Sequence, residues 1–124
     1  MAVRRPKLNL TPQFLDLALY SGDGAEFNLT VLDTDRAPVP LTGSMRAQIR
    51  ITRDAATPLA SFSVDLSNYS EGKALLSLDG DDTAVLTPTE EKFTGAWDVE
   101  WTPENEEPRT IIQGKVECWP DVTR

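Results

Sequence analysis

The carboxylates of this sequence are the side chains with the most obvious chemical potential. Asp98 and Glu100 lie two residues apart, and a pair of carboxyl groups supplies the acid and the base of many glycosidases. Such a pair works across a cleft, with one carboxyl group held in an apolar or opposed environment. Neighbouring carboxylates on the wet face of one strand do not meet this requirement. A charged outer face is therefore the favoured interpretation of Asp98 and Glu100.

A second group of carboxylates follows part of the spacing of an EF-hand calcium loop. When Asp79 is counted as the first position, Asp81 is the third and Glu90 is the twelfth. The sixth position, where the loop needs a glycine for its sharp turn, is Ala84. The flanking segments also have the alternation of strands instead of helices. The sequence thus favours a solvated turn that leads into a short helical turn near 81–87 over a calcium site.

Composition restricts nucleophilic and metal chemistry further. The chain has no histidine and a single cysteine, Cys118. Without histidine there is no catalytic triad with a histidine base and no histidine-ligated metal. One cysteine forms neither an internal disulfide nor a cysteine-based zinc site. We therefore expect no cofactor, no metal and no enzymatic activity, since neither an acid–base pair nor a nucleophile–base pair is visible.

The tryptophans raise the alternative of a carbohydrate-binding module. Trp97 and Trp101 are in phase with Val99 on one face of a strand, which favours core packing over a flat platform for sugars. Trp119 lies beside Pro120 and is expected to be exposed or at an interface. Binding of a sugar by stacking requires at least one exposed tryptophan.

The charge of the chain is unevenly distributed. The net charge is −8, and because Arg4, Arg5 and Lys7 contribute +3, the remaining 117 residues sum to −11. An acidic body repels nucleic acid and anionic membranes, so neither is an expected partner. No apolar run has the length of a membrane span and no signal peptide is visible, which predicts synthesis and folding in a cytoplasm.

The cations near the start belong to a segment with two prolines and little periodicity. We predict an extended basic arm over residues 1–13. One interpretation of this arm is a frayed terminus. The other is a segment that becomes ordered on a neighbouring acidic subunit, including a second copy of the chain.

Short alternating segments carry these residues. From Phe14 onward, seven or eight such segments are separated by clusters of Gly, Pro, Asn and Asp. This pattern predicts an antiparallel β-sandwich or barrel that forms one domain over residues 14–124. The interruption near 81–87 predicts a helical turn with Asp81 or Asp82 as its N-cap. In the first strand, Leu15, Leu17 and Leu19 are predicted to share one apolar face.

The segment 45–52 has the clearest alternation. Its predicted inward residues are Met45, Ala47, Ile49 and Ile51, and its predicted outward residues are Arg46, Gln48, Arg50 and Thr52. Arg46 and Arg50 thus place two cations on an acidic body. Two interpretations remain open: a docking surface, or cross-strand pairing of these arginines with carboxylates.

The order of these features resembles a pattern of tailed-bacteriophage virion proteins. In "LALYSGDGAEFNLTVLDTDRAPVPLTG", a strand, a Gly/Asp turn, an alternating strand and an Asp-rich turn precede Val-x-Leu-Thr-Gly, and "MRAQIRIT" follows. The segments "EGKALLSLDGDDTAVL", "FTGAWDVEW" and "GKVECWPDVTR" are similar to the continuation and the ending of that pattern. The resemblance covers about residues 14–124. It is to the N-terminal β-sandwich domain of phage baseplate upper proteins and to related small tail or fibre sandwich proteins.

This resemblance implies an Ig-like β-sandwich of seven to eight strands. It also implies a non-enzymatic structural role in the virion, as a minor tail or baseplate-type protein that binds other virion proteins and copies of itself. One alternative is a capsid-surface decoration or head fibre protein, and another is a carbohydrate-binding module that attaches the virion to a host-surface glycan. The candidate interface residues are Arg4, Arg5, Lys7, Arg46, Arg50 and Trp119.

Overall fold

Nine β-strands and two short helical turns form the regular structure of residues 12–120, the part of the chain that the computed structural model describes. The strands are β1 (Gln13–Phe14), β2 (Leu17–Tyr20), β3 (Ala25–Thr30), β4 (Ser44–Arg50), β5 (Ala60–Ser61), β6 (Ser63–Asp65), β7 (Lys73–Leu78), β8 (Phe93–Thr102) and β9 (Arg109–Trp119). The helical turns are α1 (Gly80–Ala84) and a 3-10 turn at Tyr69–Glu71. Only the last two residues of the predicted arm lie in this range, and Gln13 already belongs to β1.

The strands form two sheets that enclose one hydrophobic core. The larger sheet has the order β1–β9–β8–β4–β5, with β2 also pairing with β9, and the smaller sheet has the order β3–β7–β6. This is the all-β, Ig-like sandwich that the sequence predicts. Pairing is antiparallel except at one edge, where β1 and β2 both run parallel to β9. The predicted antiparallel sandwich is confirmed, with this parallel edge as an addition that the sequence did not indicate.

The strand number exceeds the predicted seven to eight because two predicted strands are interrupted. The first interruption separates β1 from β2. There the Asp16 carboxylate accepts a hydrogen bond from the Lys115 backbone N–H at 2.9 Å, in place of a backbone carbonyl. The Leu15 side chain is 48% exposed at this break, so the prediction that it shares the apolar face of Leu17 and Leu19 is wrong.

The second interruption moves the chain from one sheet to the other. Ala60 pairs with Ile49 in the larger sheet, and the Phe62 N–H donates to the Ala47 carbonyl at 2.9 Å. Two residues later, Val64 pairs with Leu76 in the smaller sheet. A single alternating segment in the sequence therefore contributes to both layers.

The centre of the core consists of aromatic side chains from both layers. Trp97, Val99 and Trp101 of β8 are 3%, 0% and 2% exposed, which confirms their predicted core positions. The Trp97 ring contacts Phe62 and Phe27, with centroid distances of 5.6 and 6.3 Å. Each indole N–H is satisfied, since Trp97 donates to the Leu15 carbonyl and Trp101 to the Thr42 carbonyl.

The β4 strand presents its predicted inward and outward faces until it ends. Ala47 and Ile49 are buried, and Met45 is partly buried. Ile51 is 61% exposed, because β4 ends at Arg50 and the chain turns away from the sheet. The prediction that Ile51 faces the core is therefore wrong.

The predicted helical turn is present, but its cap lies earlier than predicted. Asp79 is the N-cap of α1, and its carboxylate accepts the Asp82 N–H at 2.9 Å. The Asp82 carboxylate in turn accepts the Asp79 N–H, which completes a capping box. Asp81 and Asp82, the predicted N-caps, lie in the first turn instead, where negative charge also stabilises a helix.

Candidate functional site

The outer face of the larger sheet carries the predicted interface residues that fall within the described range. These are Arg46 and Arg50 on β4 and Trp119 at the end of β9. The remaining candidates, Arg4, Arg5 and Lys7, lie outside the described residues. The strands β4, β8 and β9 are adjacent in this sheet, so their outward side chains form one continuous surface.

Arg46 and Arg50 pair with the carboxylates of the neighbouring strand. Arg46 lies opposite Glu100, and its Nη2 donates to Glu100 Oε1 at 3.0 Å. Arg50 lies beside Asp98, with 3.7 Å between Nη1 and Oδ2, and its Nη2 donates to Gln48 Oε1 at 2.6 Å. Asp98 and Glu100 thus serve as partners of arginines on an open face. This geometry is that of cross-strand pairing, and it does not form the facing pair of carboxyl groups that glycoside hydrolysis requires.

A polar pocket of about 260 Å³ adjoins Arg50 where β4 ends. It is lined by Arg50, Arg53, Asp54, Ala96, Trp97, Asp98, Thr110 and Gln113. The Arg50 side chain is only 16% exposed, and Arg53 Nη2 donates to Gln113 Oε1 at 2.6 Å. Two arginines and two aspartates balance the formal charge of the lining. The pocket offers hydrogen bonds to a polar group without concentrating charge of one sign.

An aromatic patch lies toward the same end of the sheet, across β8 from Arg50 on the β2–β9 side. We define it as Tyr20, Lys92 and Trp119. Tyr20 and Trp119 are paired neighbours on β2 and β9 and are 57% and 38% exposed. The Lys92 Nζ lies 4.2 Å from the Trp119 ring centroid and 3.0 Å from Glu117 Oε2. The ammonium group therefore covers one ring face through a cation–π contact and is itself held in place by a carboxylate.

Within residues 12–120, the structure contains no group of three or more Asp, Glu, Cys or His residues placed to hold a metal ion. Of the carboxylates with EF-hand-like spacing, Asp79 is the N-cap of α1 and Asp81 lies in its first turn. Cys118 is fully buried, its Sγ lies 3.7 Å from the Thr83 carbonyl oxygen, and burial raises the pKa of its thiol. The exposed Asp65 has a lowered pKa, because its carboxylate accepts hydrogen bonds from the Ser67 hydroxyl and backbone N–H.

Sequence reasoning missed Tyr20, Lys92, Arg53 and Gln113 as surface residues of interest. A signal for Tyr20 was present, because alternation with Leu17 and Leu19 places it outward. The sequence did not indicate the contact of Tyr20 with the end of β9, because that contact depends on the parallel register of β2 and β9. Arg53 meets Gln113 across sixty residues of sequence, which no local pattern indicates.

Comparisons with known proteins identify no family for this chain. No protein-family model matches the chain, and no curated protein matches it significantly. Among solved structures, domains 4 and 5 of the S-layer protein SbsC align with a TM-score of 0.46 and 14% sequence identity. The alignment covers 89% of this chain and 42% of that structure, so the chain spans less than half of that neighbour's length. A similarity at this level carries no argument about function.

In the described residues, no helix is both long enough and apolar enough to span a membrane.

Proposed function

We propose that this protein is a non-enzymatic structural component of a tailed-bacteriophage virion, of the minor tail or baseplate type. It acts by assembling with other virion proteins. The observation that supports the proposal best is the outer face of the larger sheet. Cross-strand pairs hold arginines in place along this face, and an exposed tryptophan and tyrosine lie at its end. Arginine, tyrosine and tryptophan are the residues that most often carry the binding energy of protein–protein interfaces.

The aromatic patch is suited to be the centre of such an interface. Tyr20 and Trp119 present large apolar surfaces with few rotatable bonds, so burying them costs little side-chain entropy. Arg46 and Arg50 lie on β4, which β8 separates from β9, and they supply donors for a partner carboxylate. A partner with an apolar centre and an acidic rim would complement this face.

The test is the composition of the particle. Mass spectrometry of purified virions is expected to find the protein in a fixed stoichiometry with tail components. A map of the whole particle then distinguishes a tail or baseplate position from a capsid-surface position. Absence of the protein from intact particles would refute the proposal.

Carbohydrate binding is the second candidate, and the exposed Trp119 is the observation that favours it. Burial of Trp97 and Trp101 removes the platform that those two residues could have formed. Trp119 alone remains, with Lys92 over one face of its ring. A glycan array, or quenching of tryptophan fluorescence by cell-wall sugars, separates the two candidates. Saturable binding that disappears in Trp119→Ala would favour the carbohydrate-binding module.

A further inference from the structure

The strand β3 is the longest uninterrupted edge strand in the described part of the chain. All six of its residues pair with β7, and no strand within residues 12–120 pairs with its other side. The other edges are short or interrupted: β5 has two residues, β6 has three, and β1 and β2 are separated at Leu15–Asp16. Natural sheets usually block an open edge with lysine, proline or a bulge. The β3 sequence, Ala-Glu-Phe-Asn-Leu-Thr, contains no lysine, proline or bulge, and its one charged residue is the acidic Glu26.

The register shows which backbone groups this edge offers. The Val31 N–H, directly after β3, donates to the Gly72 carbonyl at 2.8 Å on the β7 side. In an antiparallel pair, the N–H and C=O groups of successive residues point alternately toward and away from the partner strand. Counting back from Val31, the groups that face the open edge belong to Glu26, Asn28 and Thr30. Three donors and three acceptors thus lie along a straight edge, ready to pair with an additional strand.

The side chains next to this edge are incompletely covered. Phe27 and Leu29 point toward the core but are only partly buried, whereas Leu76 on the adjacent β7 is 1% exposed. A strand placed beside β3 with apolar residues at alternate positions would bury the remaining surface of Phe27 and Leu29.

The charge beside the edge indicates the kind of strand that fits. Residues 21–35 contain Asp23, Glu26, Asp33 and Asp35 and no cation. Lys73, which pairs with Thr30, is the nearest basic residue on β7. A basic strand is therefore favoured over an acidic one.

We propose that residues 3–10 of a second copy of this chain add to the open edge of β3 as a further strand. This segment contains Arg4, Arg5 and Lys7, and Leu8 and Leu10 alternate with Asn9. Pro6 has no N–H to donate, so residues 7–10 supply the donors of the added ladder. The leucines supply the apolar positions that cover Phe27 and Leu29, and the cations complement the acidic edge. The inference rests on the proposed assembly function and names one contact through which copies of the chain bind each other.

Cross-linking between two full-length variants tests the contact directly. One variant carries Asn9→Cys and the other, labelled with ¹⁵N, carries Asn28→Cys; a short bismaleimide is added to the mixture. The native Cys118 is fully buried and stays unreactive. We expect a cross-linked species with the mass of one labelled and one unlabelled chain. The matched control replaces Asn28→Cys by Ser63→Cys, an exposed position on β6 at the opposite edge of the same sheet.

Two outcomes overturn the proposal. Equal cross-linking to Ser63→Cys would show that the contact is not specific to β3. A double variant that carries both Asn9→Cys and Asn28→Cys tests for binding within one chain. If this variant cross-links within the chain while the mixed single variants do not cross-link, the segment binds its own domain.

A second measurement uses the outward orientation of the Asn28 N–H. Asn28→Pro removes a donor from the open edge and leaves the ladder with β7 intact, because proline is tolerated where the N–H faces solvent. Sedimentation equilibrium of the full chain is expected to show self-association that Asn28→Pro weakens at least tenfold, and that 0.5 M NaCl also weakens. Asn28→Ala, which keeps the backbone N–H at the same position, is the matched control. A full chain that stays monomeric at millimolar concentration, or association that Asn28→Pro leaves unchanged, would overturn the inference while leaving the virion test unaffected.

Discussion

Thr83 is a fully buried hydroxyl that joins α1 to the turn between β2 and β3. Its Oγ1 accepts the Gly22 N–H at 3.0 Å and lies 2.9 Å from the Asp23 carbonyl, to which it donates. One hydroxyl therefore satisfies backbone groups on a turn sixty residues away. Buried polar groups of this kind are costly when they lose a partner.

Replacement of Thr83 by valine is expected to lower the free energy of unfolding by about 1–3 kcal/mol. Valine has a similar shape but leaves the Gly22 N–H and the Asp23 carbonyl without a partner. Thr83→Ser keeps the hydroxyl and is the matched control, with a smaller loss. Urea denaturation of both variants measures the difference. Equal losses in the two variants would show that the methyl group, and not the hydroxyl, matters.

Cys118 provides a second prediction for a single side chain. Burial raises the pKa of its thiol, so the native protein holds it protonated at a pH where an exposed thiol ionises. We expect no reaction with a disulfide reagent at pH 8 until urea unfolds the chain. A raised folded-state pKa also means that stability is lost as the pH rises above the unfolded-state pKa. Cys118→Ala should remove that part of the alkaline decrease, whereas rapid labelling of the native thiol would contradict its burial.

At the edge formed by β1, β2 and β9, the backbone at Gly114 of β9 lies very close to the backbone at Leu15, between β1 and β2. A Cβ atom at Gly114 would lie 1.9 Å from the Leu15 carbonyl oxygen, the same oxygen that accepts the Trp97 indole N–H at 2.7 Å. Glycine at position 114 thus allows the chain between β1 and β2 to cover a buried tryptophan.

Gly114→Ala is expected to destabilise the protein by roughly 2 kcal/mol or more, because backbone has to move and the Trp97 hydrogen bond is strained. The matched control is Gly24→Ala, where the nearest atom to a new Cβ is the Leu78 carbonyl oxygen at 3.2 Å. Thermal unfolding and hydrogen exchange of the Trp97 indole N–H measure the two effects. A Gly114→Ala protein as stable as Gly24→Ala would contradict the close approach.

The paired arginines of β4 allow a test of the two interpretations of that strand. The exposed pair Arg46–Glu100 contributes at most about 1 kcal/mol, so Arg46→Ser should change the melting temperature by only a few degrees. Arg50, whose side chain is 16% exposed and donates to Gln48, is replaced by serine in a separate variant. Loss of incorporation into particles with little change in melting would support docking. A large drop in melting temperature would instead assign these arginines to cross-strand pairing.

The alternation of single strands was predictable, and the relations between strands were not. The inward face of β8 was identified correctly, because a period of two is set by backbone geometry alone. The prediction for Leu15 was wrong because the strand is interrupted beside it. At the interruption, the Lys115 N–H donates to the Asp16 carboxylate in place of a backbone carbonyl, and these two residues are ninety-nine positions apart in the sequence. For the candidate interface, the alternation of the sequence correctly predicted that Arg46 points outward. Its partner Glu100 and the aromatic patch depend on sheet order and register.

At the scale of the whole molecule, the dominant property is negative charge. The chain carries −8 in total, and −11 without its first seven residues. The ion pairs of the larger sheet's outer face neutralise only part of this charge. Repulsion among the remaining carboxylates destabilises the compact state.

Raising NaCl from 10 mM to 0.5 M is therefore expected to increase the melting temperature by several degrees, because salt screens this repulsion. Calorimetry at pH 7 measures the effect, and a variant with Glu104→Gln and Glu107→Gln, two exposed carboxylates of the same turn, should gain less from salt. A melting temperature that falls with salt would indicate that attractive ion pairs outweigh the repulsion.

The parallel pairing of β2 with β9 has a mechanical consequence. In a parallel pair, the start of one strand and the end of the other lie at opposite ends of the ladder, here at Leu17 and Trp119. A tensile force applied through those two ends loads the hydrogen bonds between the strands simultaneously, in shear. An antiparallel hairpin pulled at its open end would instead unzip one bond at a time. Tension applied at Leu17 and Trp119 therefore has to break these hydrogen bonds together, which gives this edge more mechanical resistance than a hairpin of the same length.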